Sequence, residues 1–247
     1  MSSTLVIVRH GESTWNQENR FTGWHDVALT AEGEIQATAA GVAMRDAGLF
    51  FDVGHTSVQT RAVVTANLAL AALGQPWLPV QRSWRLNERH YGALQGLDKK
   101  ETTASHGAEQ TNLWRRSYDV PPPPVDTNSP EHPRHDPRYR LLAPDVLPAS
   151  ECLRDVVARV LPYWHDAIVP QLRAGLTVLV AAHGNSLRAL WKHLEGVSDA
   201  DIAELNIPTG FPRRYVFDDN LTVVEAAYLA DPEVAAKAAA AVAQQSR

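Results

Sequence analysis

The segment Leu5-Val6-Ile7-Val8-Arg9-His10-Gly11 constrains the fold more than any other. Four apolar residues in a row, three of them β-branched, leave no polar face, so a strand made from them must be covered on both sides. The same form returns at Val178-Leu179-Val180-Ala181-Ala182-His183-Gly184. Between the two, short apolar runs alternate with helical stretches. Thr30 as an N-cap, Glu32 in the first turn and Gly48 beyond an alanine-rich body mark one helix. A strand from Phe51 ends at Thr56-Ser57, and Arg61 to Leu73, stopped by Gly74, marks the next helix. A helix is expected from Glu151 to about Leu172, interrupted at Pro162, and another carries Leu187, Leu190, Trp191 and Leu194. Arg214 to Phe217 and Leu221 to Tyr228 flank Asp218-Asp219-Asn220, a hairpin at a sheet edge.

Strands alternating with helices imply an α/β fold: a mostly parallel sheet flanked by helices on both faces, in three layers. The stretch from about 86 to 149 breaks the rhythm with Pro121 to Pro124 and the cluster Trp114-Arg115-Arg116. It is read as an insertion over the C-terminal edge of the sheet, within a single catalytic domain spanning residues 1–247. A tail from about 230 to 247 is expected to be helical from Ala235 to Ala243, with little to dock it, and to act as a mobile cover over the site.

In parallel sheets the crevice beyond the carboxyl ends of the strands receives ligands. If the two strands are neighbours, His10 and His183 meet there, each followed by a glycine that lets backbone come close and by a turn offering N–H groups. The dipeptide alone is weak, since composition gives about 0.6 His-Gly pairs by chance and His106-Gly107 is a third without a strand before it. Neighbours strengthen the pattern. Arg9 precedes His10, Arg61 opens a helix and Glu88 lies in Leu86-Asn87-Glu88-Arg89-His90-Tyr91-Gly92. Arginine, imidazole and helix N-termini suit a phosphate dianion, and a phosphoryl group transferred without a metal needs such fixed donors.

Arg9-His10-Gly11-Glu12 resembles the signature of the histidine phosphatase superfamily. Asn16, Asn19 to Trp24 (NRFTGW), Leu86 to Gly96 (LNERHYGALQG) and Asn206 to Gly210 (NIPTG) are similar to the 2,3-bisphosphoglycerate-dependent phosphoglycerate mutases, across nearly the whole chain. The resemblance implies an isomerase of glycolysis and gluconeogenesis that interconverts 3- and 2-phosphoglycerate through a phosphohistidine, primed by 2,3-bisphosphoglycerate and independent of metal. It makes His10 the nucleophile, Glu88 the proton donor and acceptor, and His183 a stabiliser of the transferring phosphoryl group. Arg9 and Arg61 become the phosphate arginines, with Ser13, Asn16, Thr22, Gly23, Gly184 and Asn185 around them. Tyr91, Lys99, Arg115 and Arg116 hold the remainder of the substrate. It also implies a homo-oligomer, dimer or tetramer. Two departures stand out: Gln59 where the family usually has Leu, and Arg213-Arg214 where it has apolar residues.

A bisphosphoglycerate synthase, a phosphatase or a broader histidine phosphatase on the same scaffold is the alternative. An inactive binding or regulatory protein is weaker, because His10, Glu88 and His183 are all present. Net charge of −5, from 23 basic and 28 acidic residues, gives no global field for nucleic acid or a membrane. One cysteine, Cys152, permits no intrachain disulfide or thiolate metal site. The apolar run at the N-terminus is too short for a signal core or a membrane span, so a cytoplasmic enzyme is expected. His132-x-x-His135, in its proline-rich setting, reads as a solvated loop, and His25, His55, His165 and His193 read as structural or surface residues.

Overall fold

The computed structural model describes residues 3–244. Six strands form one sheet: β1 (Ser3–Arg9), β2 (Val53–Thr56), β3 (Val80–Arg82), β4 (Thr177–Ala182), β5 (Arg213–Phe217) and β6 (Val223–Tyr228). Their order is β3-β2-β4-β1-β5-β6, with β1 to β4 parallel and β5 antiparallel to both its neighbours. The helices are α1 (Thr14–Gln17), α2 (Ala31–Asp46), α3 (Thr60–Leu73), α4 (Lys99–His106), α5 (Ala108–Arg116), α6 (Leu153–Tyr163), α7 (Val169–Arg173), α8 (Gly184–Glu195) and α9 (Pro232–Gln244).

The unbroken apolar runs serve two cores. Leu5, Ile7, Val178 and Val180 face one side, against Val156, Val160, Leu187 and Leu190 of α6 and α8. Val6, Val8, Leu179 and Ala181 face the other, against Ala40 and Met44 of α2 and Ala66, Ala69 and Leu70 of α3. Each buried Leu or Val of this kind contributes about 1.5–3 kcal/mol, so both central strands are held from both sides. The three-layer α/β arrangement expected from the sequence is therefore the one formed.

Local chemistry sets the ends of the elements. Thr30 Oγ1 accepts the Gly33 N–H at 3.0 Å, starting α2. Gly74, at φ +90°, closes α3 in the left-handed conformation that glycine tolerates best. The expected long helix between Glu151 and Leu172 is divided. Its turn widens to a π-helix at Trp164–Ile168, between Pro162 and Pro170, two residues that lack the N–H a regular helix needs.

The stretch from 86 to 149 carries α4, α5 and short 3-10 turns. Its polyproline run packs on the loop of Glu88: the Pro123 carbonyl accepts the Ala93 N–H at 2.8 Å. A Cβ on Gly92 (φ +57°) would lie 2.1 Å from that carbonyl oxygen, so the approach requires glycine. His132 is buried and its Nδ1 accepts the Arg134 N–H, which corrects the reading of a wholly solvated loop. His55 is a satisfied structural histidine between the Tyr163 hydroxyl and Gln171 Oε1. Arg213 stacks 4.0 Å from the Trp191 ring centroid and bonds Glu195 within its own chain. Among its described side chains, helix α9 buries Ala235 and leaves the others exposed or half-buried, in keeping with the little its alanines offer for docking. Residues 245–247 of the expected tail lie outside the described residues. Among the described residues, no helix is long and apolar enough to cross a membrane.

Candidate active site

Strands β1 and β4 are adjacent and in register, Arg9 opposite Ala182, so both strand-end histidines emerge at one level. The His10 N–H donates to the Ala182 carbonyl at 2.9 Å, and the ring centroids lie 5.0 Å apart at an interplanar angle of 61°. Both rings are buried. His10 Nδ1 lies 2.7 Å from the Gly11 carbonyl. A carbonyl only accepts, so Nδ1 carries the proton and Nε2 keeps its lone pair. His183 is bound at the opposite nitrogen: its Nε2 lies 2.7 Å from Ser57 Oγ, and its Nδ1 has no partner.

Arg9 and Arg61 flank the pair without a carboxylate against either. Arg61 donates to the carbonyls of Gly23 (2.8 Å) and His25 (3.1 Å), and Arg9 to that of Ile207 (2.8 Å). The Nε of each arginine is buried and unpartnered. Burial lowers both guanidinium pKa values, that of Arg61 to about 10, which leaves Arg61 protonated near neutral pH. Burial, reinforced by Arg61 and Arg9, holds His10 well below the usual imidazole value. His183 is lowered by burial, then by Arg61 and His10. Both imidazoles are therefore neutral, and the Arg9 and Arg61 cations face them, with Glu88 as the nearest opposite charge to both.

Glu88 reaches the same place from the loop after β3. Its Oε1 accepts the N–H groups of Arg89 (2.7 Å) and Asn185 (3.1 Å). Its Oε2 turns toward Gly184 and Arg9, since a Cβ built on Gly184 would stand 3.6 Å from Oε2 and from Arg9 Cζ. The Glu88 carbonyl accepts from Trp24 Nε1 (2.6 Å) and Arg159 Nη2 (2.9 Å), and Arg159 is itself paired with buried Glu151.

One cavity collects His10, Arg9, Arg61, Glu88, Asn16, Thr22, Gly23, Tyr91, Lys99, Arg115, Arg116, Gly184 and Asn185 on its wall. His183 stands directly behind, beside His10. Ser13 does not reach the wall. Its hydroxyl caps α1 and donates to Asn16 Oδ1 at 2.9 Å, which fixes Asn16 at the cavity instead. Burial first, then Arg115, lowers the Lys99 ammonium to about 8. For Tyr91, burial raises the phenol, but Arg89, whose guanidinium lies 4.5 Å from its ring centroid, contributes to bringing it to about 8.

The sequence reading missed Arg20, Arg188, Asn206 and Val242 on that wall. Arg188 had a signal, for it follows Asn185 at the i+3 spacing of one helix face, and Arg188 Nη1 donates to Asn185 Oδ1 at 3.0 Å. Val242 had none, since only the docking of α9 brings it there. Seven cations on the wall face one carboxylate, Glu88, a donor set suited to a polyanion. Arg9 Nε, Arg61 Nε, Arg188 Nε and His183 Nδ1, buried without partners, fit such a ligand too. Among the described residues, no group of three or more His, Cys, Asp or Glu side chains is placed to hold a metal ion.

The sequence model of the histidine phosphatase superfamily (branch 1) matches residues 5–135 and 130–228. A relative from Xylella fastidiosa (strain M12), described as a 2,3-bisphosphoglycerate-dependent phosphoglycerate mutase, is 56% identical over 247 residues, covering 100% of this chain and 99% of that one. Among solved structures, mycobacterial hydrolase 1 superposes with a TM-score of 0.69 at 23% identity, over 94% of this chain and 100% of that one. A mycobacterial glucosyl-3-phosphoglycerate phosphatase gives 0.67 at 22% identity, over 92% of this chain and 97% of that one. At those identities the two structures speak for the fold alone.

Proposed function

The chain belongs to the histidine phosphatase superfamily, and we propose that it interconverts 3- and 2-phosphoglycerate through a phosphohistidine at His10, primed by 2,3-bisphosphoglycerate. The observation that carries the chemistry is the bond from His10 Nδ1 to the Gly11 carbonyl. It leaves the Nε2 lone pair as the nucleophile, and neutrality of the buried ring keeps that pair available. When bound, the bisphosphate supplies the phosphoryl group that loads His10. Arg9 and Arg61 neutralise charge on the phosphoryl oxygens, and His183, held by Ser57 at Nε2 and set beside His10, stabilises the transferring group.

Glu88 moves the proton of the substrate hydroxyl. With Oε1 taken by two N–H donors, the proton belongs on Oε2, on the side of Gly184 and Arg9. Tyr91, Lys99, Arg115 and Arg116 bind the second phosphate and the carboxylate, and two cationic regions let a bisphosphate turn within the cavity without leaving it. Helix α9 reaches the wall at Val242 and excludes water from the phosphoenzyme. The dimer or tetramer implied by the sequence resemblance belongs to the same proposal.

The test is conversion of 3-phosphoglycerate to 2-phosphoglycerate in EDTA, with and without catalytic 2,3-bisphosphoglycerate, in the wild type and in His10→Ala. Turnover that needs the bisphosphate, survives EDTA and is lost in the variant is expected. Release of inorganic phosphate in place of 2-phosphoglycerate would replace the mutase reading by a phosphatase on the same histidine.

A further inference from the structure

Gln59 is fully buried and occupies the position before α3, where a short polar side chain ordinarily caps a helix. Its side chain caps nothing. The Thr60 N–H is bound by Asp26 Oδ1 at 2.8 Å, and the Thr60 hydroxyl donates to Asp26 Oδ2 at 2.6 Å. Capping is thus supplied from a distant loop, and the Gln59 amide is free to reach the other way. Its Nε2 donates to the Gly23 carbonyl at 2.9 Å, and its Oε1 accepts the Glu88 N–H at 2.8 Å. These partners fix which end of the amide is which, because a carbonyl only accepts and an N–H only donates.

The Gly23 carbonyl is the same one that receives Arg61 Nη2 at 2.8 Å. One side chain therefore ties the backbone of Glu88 to the group that aims Arg61. With the Glu88 carbonyl held by Trp24 and Arg159, the Gln59 bond completes the backbone bonding of that residue. Leu, the usual residue here in the family the sequence resembles, would make neither bond.

We propose that Gln59 is a positioning residue that holds the Glu88 carboxyl and the Arg61 guanidinium in their working relation. The inference rests on Glu88 being the proton carrier. A proton transferred at Oε2 and a guanidinium directed at the phosphoryl oxygens must both be placed to within a fraction of an ångström, and Gln59 is bonded to the supports of both.

Gln59→Leu and the unbranched Gln59→Met, in the full chain, are compared with Glu88→Gln for mutase kcat, KM, the pH profile of kcat and Tm. We expect kcat to fall by about tenfold to a hundredfold with the KM for 3-phosphoglycerate within about twofold, and the pH profile to move as well as drop. Gln59→Glu keeps an acceptor for the Glu88 N–H and is expected to recover part of the kcat lost in Gln59→Leu. If the Leu variant does not fold, the Met variant decides. Unchanged kcat and pH profile in the Met variant, whatever its Tm, would overturn the proposal. Full mutase activity in Glu88→Gln would instead remove the reading of Glu88 on which it rests.

Discussion

His10 and His183 each end a buried parallel strand, precede a glycine and stand level across the same pair of strands, yet their surroundings bind opposite ring nitrogens. At His10 the partner is the neighbouring carbonyl of Gly11, so the tautomer is set by local backbone. At His183 it is Ser57, brought in from the end of β2. The glycines differ too. A Cβ on Gly11 would lie 2.0 Å from the Gly33 carbonyl oxygen at the start of α2, whereas one on Gly184 would meet nothing nearer than 3.6 Å. Gly11 is a packing requirement, and Gly184 leaves room beside Arg9 and Glu88. Two copies of one sequence pattern thus become different chemical devices through what is packed against them.

The sharpest break of this comparison is His10→Ala, which removes the only nucleophile in the proposed mechanism. Phosphoenzyme formation from 2,3-bisphosphoglycerate and mutase turnover are expected to fall by about 10⁴-fold or more. His183→Ala should slow phosphorylation by only about 10²–10³-fold, with phosphate still recovered on His10, as for loss of one transition-state donor. Equal losses in the two variants, measured by single-turnover labelling, would mean that the rings are not specialised.

The glycines offer a structural contrast. Gly11→Ala is expected to cost about 3 kcal/mol or more by denaturant unfolding, because backbone must move, and Gly184→Ala less than about 1 kcal/mol. Comparable losses would show that the two turns are packed alike after all.

The smallest effect concerns the wall away from the histidines. With a pKa lowered to about 8, the Lys99 ammonium loses its charge as pH rises through that value, and a cation needed for an anionic substrate goes with it. We expect kcat/KM to decline above about pH 8 and the decline to move upward in Lys99→Arg. Persistence of the same limb in Lys99→Arg but not in Tyr91→Phe would assign it to Tyr91, whose phenol is lowered to about 8 as well.

Much of this was legible in the chain because it depends on local pattern. A continuous apolar run means a strand covered on both faces, Thr30 and Gly74 mark helix ends, and Arg9-His10-Gly11 places charge and imidazole where a parallel strand stops. Even so, the sequence assigned Ser13 to the phosphate pocket, and its hydroxyl is spent on Asn16. It gave Gln59 no role, and that residue joins the Glu88 and Gly23 loops.

What the sequence by itself determined is the alternation of elements and the kinds of side chain available at the strand ends. Only the tertiary structure decided the register that sets the two rings 5.0 Å apart, the choice of bound nitrogen at His183, the placement of Arg188 and the arrival of Val242 at the wall. The reason is physical. Periodicity and capping act over a few residues, whereas hydrogen-bond direction and buried charge depend on groups such as Ser57 and His183, which are 126 residues apart and meet only when β2 and β4 pair.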